Sequence, residues 1–94
     1  MKKIKTDAII TPLNQTQVAP TETDLLILDE KHFKFGFLNV AYSNIQQAKI
    51  ESEGPLLFKQ YYLVVSDEQR RYKFGPFVSK GFLKKLPLPF ENDR

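Results

Sequence analysis

The sequence predicts a mainly β domain of about six antiparallel strands, with the curved sheet covered by one short C-terminal helix. Apolar and polar residues alternate along several short segments, which is the period of a half-buried strand. Turn-forming residues separate these segments, and apolar residues at helical spacing occur only near the end of the chain. With 94 residues, 41 % of them hydrophobic, the chain suits one domain over residues 1–94 with a packed core.

The first two strands are predicted on either side of a polar loop. Residues 4–11 (IKTDAIIT) form the first candidate strand, which Pro12 closes. Residues 12–23 are polar, carry prolines and show no periodicity, so they are predicted to be a loop. Residues 24–28 (DLLIL) form a short apolar strand, and the turn-forming residues 29–31 end it.

The next segment, HFKFGFL at residues 32–38, has the clearest alternation in the chain. Its period of two places Phe33, Phe35 and Phe37 on one face of a strand. His32 then lies on the opposite, solvent-facing side. The segment is therefore predicted to be one continuous strand that pairs antiparallel with the strand at residues 24–28.

A corner is predicted after this strand. Ser43 and Asn44 have side chains that bond to nearby backbone in turns, and they follow the apolar Tyr42. After the corner Ile45 is placed to anchor inward. Residues 47–51 then alternate as another strand, which a Gly-Pro pair ends.

Two strands and a helix complete the prediction. Residues 56–65 (LLFKQYYLVV) are strongly strand-like and apolar on both faces, and residues 70–77 (RRYKFGPF) form a strand that the Gly75-Pro76 pair breaks. A helix over residues 79–86 is capped by Ser79. Its apolar face consists of Phe82, Leu83 and Leu86. Prolines stop it, and residues 87–94 are predicted to be a flexible tail.

The corner resembles one found in bacterial pleckstrin-homology-like and GRAM-type domains, where an apolar-Tyr-Ser-x-Ile sequence follows an aromatic strand. Tyr42, Ser43 and Ile45 hold those places. The whole chain resembles a small family of unknown function from Gram-positive bacteria, encoded beside the mannose-class sugar phosphotransferase system. This resemblance is carried by the segments KTDAII, LLILDEKHFKF, AYSNIQQAKI and YKFGPFVSKGFLKKL. It implies a pleckstrin-homology-like split barrel and a role accessory to that transporter.

The composition argues against catalysis and against bound cofactors or metals. Cysteine is absent and there is one histidine, so neither a thiolate metal site nor a cysteine nucleophile can exist. No phosphate-binding glycine loop, dinucleotide fingerprint or serine elbow occurs. The paired carboxylates fall in predicted turns, where acidic residues are ordinary. We therefore expect no enzyme and no cofactor. The N-terminal apolar run is too short for a signal peptide, so we expect a cytoplasmic protein.

A protein-interaction or regulatory module is the favoured function. The segment at residues 56–65 is more apolar than a half-exposed strand needs to be, and tyrosine is enriched at binding hot spots. Phe58, Tyr61 and Tyr62 are therefore the candidate interface residues. The partner would be a transporter component or a second copy of the chain.

Two alternative functions use the basic residues, since the net charge is +3. Arg70, Arg71 and Lys73 are interleaved with aromatic residues, as in some nucleic-acid-binding surfaces. The same three could attract an anionic membrane surface. However, the strand period sends Tyr72 and Phe74 to one face and two of the charges to the other. A specific lipid site is disfavoured because the connection after the first strand has no basic residue.

Overall fold

The mainly β fold is confirmed by a computed structural model of the protein, which describes residues 2–15, 17 and 19–90. Within these residues there are seven strands, one 3₁₀ turn and one short helix. The strands are β1 (Lys2–Pro12), β2 (Thr21–Leu28), β3 (His32–Phe35), β4 (Leu38–Ala41), β5 (Gln47–Glu53), β6 (Gln60–Ser66) and β7 (Arg70–Phe77). The 3₁₀ turn spans Tyr42–Asn44 and helix α1 spans Gly81–Lys84.

All the strands belong to one sheet in the order β4-β3-β2-β1-β7-β6-β5, and all neighbours are antiparallel. The sheet curls into a half-barrel. Strand β1 lies at its centre, since its first part pairs with β2 and its last part with β7. Strand β1 includes Pro12 and β2 begins at Thr21, so the loop predicted at residues 12–23 is shorter at both ends.

The core consists of the inward-facing residues of this sheet, with an aromatic cluster at its centre. The rings of Phe33 and Phe74 lie 5.3 Å apart at 79°, and those of Phe33 and Tyr72 lie 5.6 Å apart at 81°. Such edge-to-face pairs stabilise beyond the apolar area they bury. The predicted inward positions of Phe33, Phe35, Tyr72 and Phe74 are thus confirmed.

The prediction for Phe37 is wrong, because the segment HFKFGFL is two strands. Gly36 has φ +58°, a left-handed value that suits the first central position of a two-residue hairpin turn. Phe37 occupies the second position of this turn, between β3 and β4, and is fully exposed. The tight turn explains why the structure has one strand more than the sequence predicts.

The corner after β4 forms as predicted. Tyr42 begins the 3₁₀ turn and is buried, and its hydroxyl donates a hydrogen bond to the carbonyl oxygen of Asp29 at 2.9 Å. Burial, followed by the nearby Asp29 charge, raises the pKa of Tyr42 to about 12, so the hydroxyl remains a donor even in alkaline solution where a free tyrosine would ionise. Ile45 is buried in the core beyond the turn. The corner therefore ties the β2–β3 turn to the start of β5.

The Gly75-Pro76 pair does not break its strand, contrary to prediction. Strand β7 continues to Phe77, which pairs with Tyr61, whereas the next pair is Phe74 with Leu63. One extra residue on β7 is accommodated between these pairs as a bulge. Proline is tolerated at a bulge because no ladder hydrogen bond is required there.

The C-terminal helix is shorter than predicted. Helix α1 makes a single turn whose N-cap position is Lys80, and Ser79 lies one residue earlier, where its Oγ accepts a long hydrogen bond from the Gly81 N–H at 3.4 Å. The predicted apolar face is nevertheless used, since Leu83 is fully buried and Phe82 packs edge-on against Phe77 at 5.5 Å.

The segment that follows the helix contacts the core. Residues 87–90 belong to the predicted flexible tail, but Leu88 and Phe90 pack against the core, and Phe90 forms a parallel bridge with Ala48 of β5. Residues 91–94 lie outside the described residues.

Asp67 organises the turn between β6 and β7. Its Oδ1 accepts hydrogen bonds from the backbone N–H groups of Gln69 and Arg70, both at 2.8 Å, and its Oδ2 accepts one from the Tyr72 hydroxyl at 3.0 Å. Partial burial raises the pKa of Asp67, but these hydrogen bonds outweigh it and the pKa lies below its usual value. The fold therefore favours the charged carboxylate.

Replacing Asp67 with alanine is expected to lower the free energy of unfolding at pH 7 by about 1–2 kcal/mol, because three hydrogen-bond donors lose their charged acceptor. A carboxyl group with a lowered pKa stabilises the fold above its unfolded pKa of about 4, and that contribution is lost as the pH falls through the folded pKa. Urea unfolding at pH 7 and pH 3 should therefore show a smaller difference from wild type at pH 3. Glu68→Ala, at the exposed neighbouring position, is the control. An equal loss for Asp67→Ala at both pH values would contradict the assignment.

Candidate functional site

The loop between β5 and β6 presents three large apolar side chains to solvent. Leu56, Leu57 and Phe58 are 84, 85 and 75 % exposed, although they are consecutive and large. We call these three residues the apolar tip. Consecutive exposed apolar residues promote association of the protein with other molecules. In a soluble protein such a run therefore indicates a binding surface.

The backbone of this loop is shaped by a glycine and a local hydrogen bond. Gly54 has φ +99°, and a Cβ at this position would lie 2.7 Å from the carbonyl oxygen of Phe58. The N–H of Phe58 donates to the carbonyl oxygen of Pro55 at 2.9 Å. The chain thus turns back on itself over four residues. The side chains in this tight turn do not reach the core of the sheet and therefore remain in contact with solvent.

The sequence predicts that strand β6 begins at residue 56, which is wrong because the tight turn includes residues 56–58. The strand begins at Gln60, and the apolar tip belongs to the preceding turn. The signal was available in the sequence, since Gly54-Pro55 is a strong turn former and a turn can extend past it. Leu56 and Leu57 were therefore missed as surface residues. Val78 is also 92 % exposed, next to the end of β7 that pairs with the start of β6.

The three predicted interface residues lie in three different environments. Phe58 belongs to the apolar tip. Tyr61 lies on the side of the sheet that α1 covers, with the Nζ of Lys80 5.5 Å from its ring centre. Tyr62 lies on the opposite face, with the Nζ of Lys73 4.6 Å from its ring centre. Adjacent strand residues face opposite ways, so the structure does not bring Tyr61 and Tyr62 onto one surface.

The predicted basic patch is divided in the same way. Arg71 and Lys73 lie on the outer face of β7, whereas Arg70 has the orientation of the core residues and lies beside the turn. The Nζ of Lys73 is 3.7 Å from carboxylate oxygens of both Glu51 and Glu53. Opposite charges on the edge strand β5, which β6 separates from β7, thus balance part of the patch.

Glu51 is the centre of this charge network. A hydrogen bond from Lys49, at 3.0 Å, is the main cause that lowers the pKa of Glu51, and Lys73 contributes. Tyr72 and Phe74, the aromatic residues interleaved with the basic ones in the sequence, are 1 and 0 % exposed. Tyr62 is the aromatic residue that lies beside Lys73 on this face. Base stacking requires an exposed ring, so Tyr72 and Phe74 cannot supply the stacking surface that the sequence pattern suggests.

In the part of the chain that the structure describes, no three His, Asp or Glu side chains are placed to hold a metal ion. The helices of the described residues are too short to pass through a bilayer.

The comparisons with known proteins give no relative: no family model matches the chain, and no curated protein or solved structure is significantly similar to it.

Proposed function

We propose that the protein is a non-catalytic interaction module of the cytoplasm that binds a partner protein through the apolar tip. The supporting observation is the exposure of Leu56, Leu57 and Phe58 side by side in one loop, whereas the other exposed large apolar residues, such as Phe37, stand singly in the sequence. These side chains project from a hairpin loop, and a projecting group of apolar side chains is buried most completely in a concave surface of a partner. The partner is therefore expected to offer an apolar groove, in which the tip residues would lose their contact with water.

The pleckstrin-homology-like character of the chain, and the identity of its partner, are proposed from the sequence resemblance. By that resemblance, the partner is a component of a mannose-class sugar phosphotransferase transporter. A regulatory or accessory role agrees with the lack of a recognised catalytic motif in the sequence. A second copy of the chain is the other protein partner to test.

Binding is tested with the double variant Leu57→Ser/Phe58→Ser and purified transporter components immobilised on a sensor surface. We expect the variant to bind about 30-fold more weakly than wild type, since hot-spot truncations cost about 2 kcal/mol or more. Phe37→Ser is the matched control, because it also removes an exposed apolar side chain from a hairpin turn. It should change the dissociation constant by less than about twofold.

Other outcomes separate the alternative functions. Tip-dependent dimerisation in light scattering would support a protein interface and identify the partner as a second copy. Equal binding by wild type and the tip variant would overturn the proposal. Tip-dependent sedimentation with anionic lipid vesicles would also overturn it, because the tip would then bind a membrane surface. The proposal would likewise fail if the protein were monomeric and bound none of the transporter components.

A further inference from the structure

The free edge of β5 is a second surface with the features of a binding site. Strand β5 is the last strand of the sheet, with β6 on one side. On its other side, among the described residues, only Ala48 is bridged to another segment, namely to Phe90. Residues 49–53 of this edge therefore carry backbone groups with no strand partner in the described part of the chain. Such an edge is a template for an added strand.

The protein already uses this edge in that way. After α1 the chain returns to the sheet, and Phe90 runs parallel to β5 where it meets Ala48. Phe90 is half-buried against the core. An extended segment can thus lie against β5, with one side chain directed toward the core and the backbone beside the strand.

A groove of about 520 Å³ lies next to this edge, between β5, α1 and Phe90. Its apolar lining comes from Ile50, Tyr61 and Phe90, and its charged lining comes from Lys49, Lys80 and Lys84. No described carboxylate lines it. The groove therefore combines an apolar floor with positive charge.

The lysines of the groove differ in whether they form an ion pair with a carboxylate. The Nζ of Lys49 is 3.0 Å from Glu51, so this charge is already paired. Lys80 and Lys84 belong to no ion pair among the described residues. Lys80 instead lies over the ring of Tyr61. Two cations beside an open strand edge favour an anionic occupant.

We propose that the β5 edge and this groove bind an extended acidic segment of a partner protein by strand addition. The backbone of the segment would pair with residues 49–53, its carboxylates would meet Lys80 and Lys84, and an apolar side chain would occupy the space between Ile50 and Tyr61. Backbone pairing supplies affinity and the alternating side chains supply selectivity. The site is separate from the apolar tip, so the two proposals stand or fall independently.

The probe is a short fluorescent peptide in which aspartate alternates with valine and phenylalanine, and binding to the full chain is followed by fluorescence anisotropy. The charge reversal Lys80→Glu/Lys84→Glu should weaken binding at least about tenfold. Lys3→Glu/Lys5→Glu makes the same change in net charge at exposed positions of β1 and should have less than about a threefold effect. Equal losses for the two variants would show a general charge effect and overturn the site.

Backbone pairing is tested with two N-methylated versions of the peptide. Only every second amide of an added strand faces its neighbour, so methylation at one set of alternate residues should abolish binding while methylation at the other set should be tolerated. Equal effects of the two patterns would overturn strand addition. Equally tight binding of a single-stranded oligonucleotide would also overturn the proposal, because it would show a surface for polyanions in general.

Discussion

Replacing Phe74 with alanine is expected to lower the free energy of unfolding by about 3–5 kcal/mol, the usual cost of removing a buried aromatic ring. Phe74 is fully buried, and its ring centre lies 5.3 Å from that of Phe33 and 5.5 Å from that of Phe35. Its backbone pairs with β1 on one side and with β6 on the other. The ring thus joins the two halves of the curled sheet. Since small domains are stable by only about 5–15 kcal/mol, this one change would remove a large share of the total.

Equilibrium unfolding in urea, followed by circular dichroism, measures this loss. Phe37→Ala is the control, because it deletes the same ring at a fully exposed position and should change the free energy of unfolding by less than about 0.5 kcal/mol. Similar losses for the two variants would contradict the assignment of Phe74 to the centre of the core.

The second large effect is expected at Gly75, where alanine should lower the free energy of unfolding by about 2 kcal/mol or more. Gly75 has φ +142°, and a Cβ there would lie 2.8 Å from the carbonyl oxygen of Tyr61 and 2.7 Å from Cδ2 of Tyr62. A backbone conformation that a side chain rarely adopts costs about 1–3 kcal/mol. The contact with Tyr61 adds to this, because a backbone carbonyl in a paired strand cannot rotate away.

Gly81→Ala provides the matched control for the glycine substitution. A Cβ at Gly81 would meet no atom closer than 3.9 Å, and alanine is favoured over glycine in a helix by up to about 1 kcal/mol. The variant should therefore be as stable as wild type or slightly more stable in the same urea experiment. If Gly75→Ala behaved like Gly81→Ala, the bulge in β7 would not have the geometry described above.

The parts of the fold that the sequence predicted correctly are those in which one face of a strand is buried. Phe33 and Phe35, and likewise Tyr72 and Phe74, alternate with charged residues, and only one register places them together inside. The corner at Tyr42 could also be predicted, because its buried anchor Ile45 follows turn-forming residues. In these segments the hydrophobic pattern and the turn chemistry agree.

The errors occurred where an apolar side chain belongs to a turn. Phe37 continues the alternation of Phe33 and Phe35, but Gly36 reverses the chain first, and the period alone cannot show this. Leu56 and Leu57 continue the apolar run of β6 in the same way. The placement of Phe90 beside β5 depends on a contact between distant segments, which no local pattern contains. The two surfaces proposed for binding each contain one predicted interface residue, Phe58 in the apolar tip and Tyr61 in the groove, but their shapes depend on a turn and on a distant contact that the local pattern does not contain.

The central position of β1 has a consequence for the order in which the protein can fold. Strands β1 to β4 form a meander of neighbours in sequence, and β5 to β7 form another, so each can assemble through short loops. The two are joined in the sheet by the pairing of β1 with β7, which lie near opposite ends of the described chain. Closing so long a loop is slow, because its entropy must be lost before the contact is gained. A ribosome would therefore release most of β7 before the sheet could be completed, and until then the core faces of both meanders would be open to chaperones.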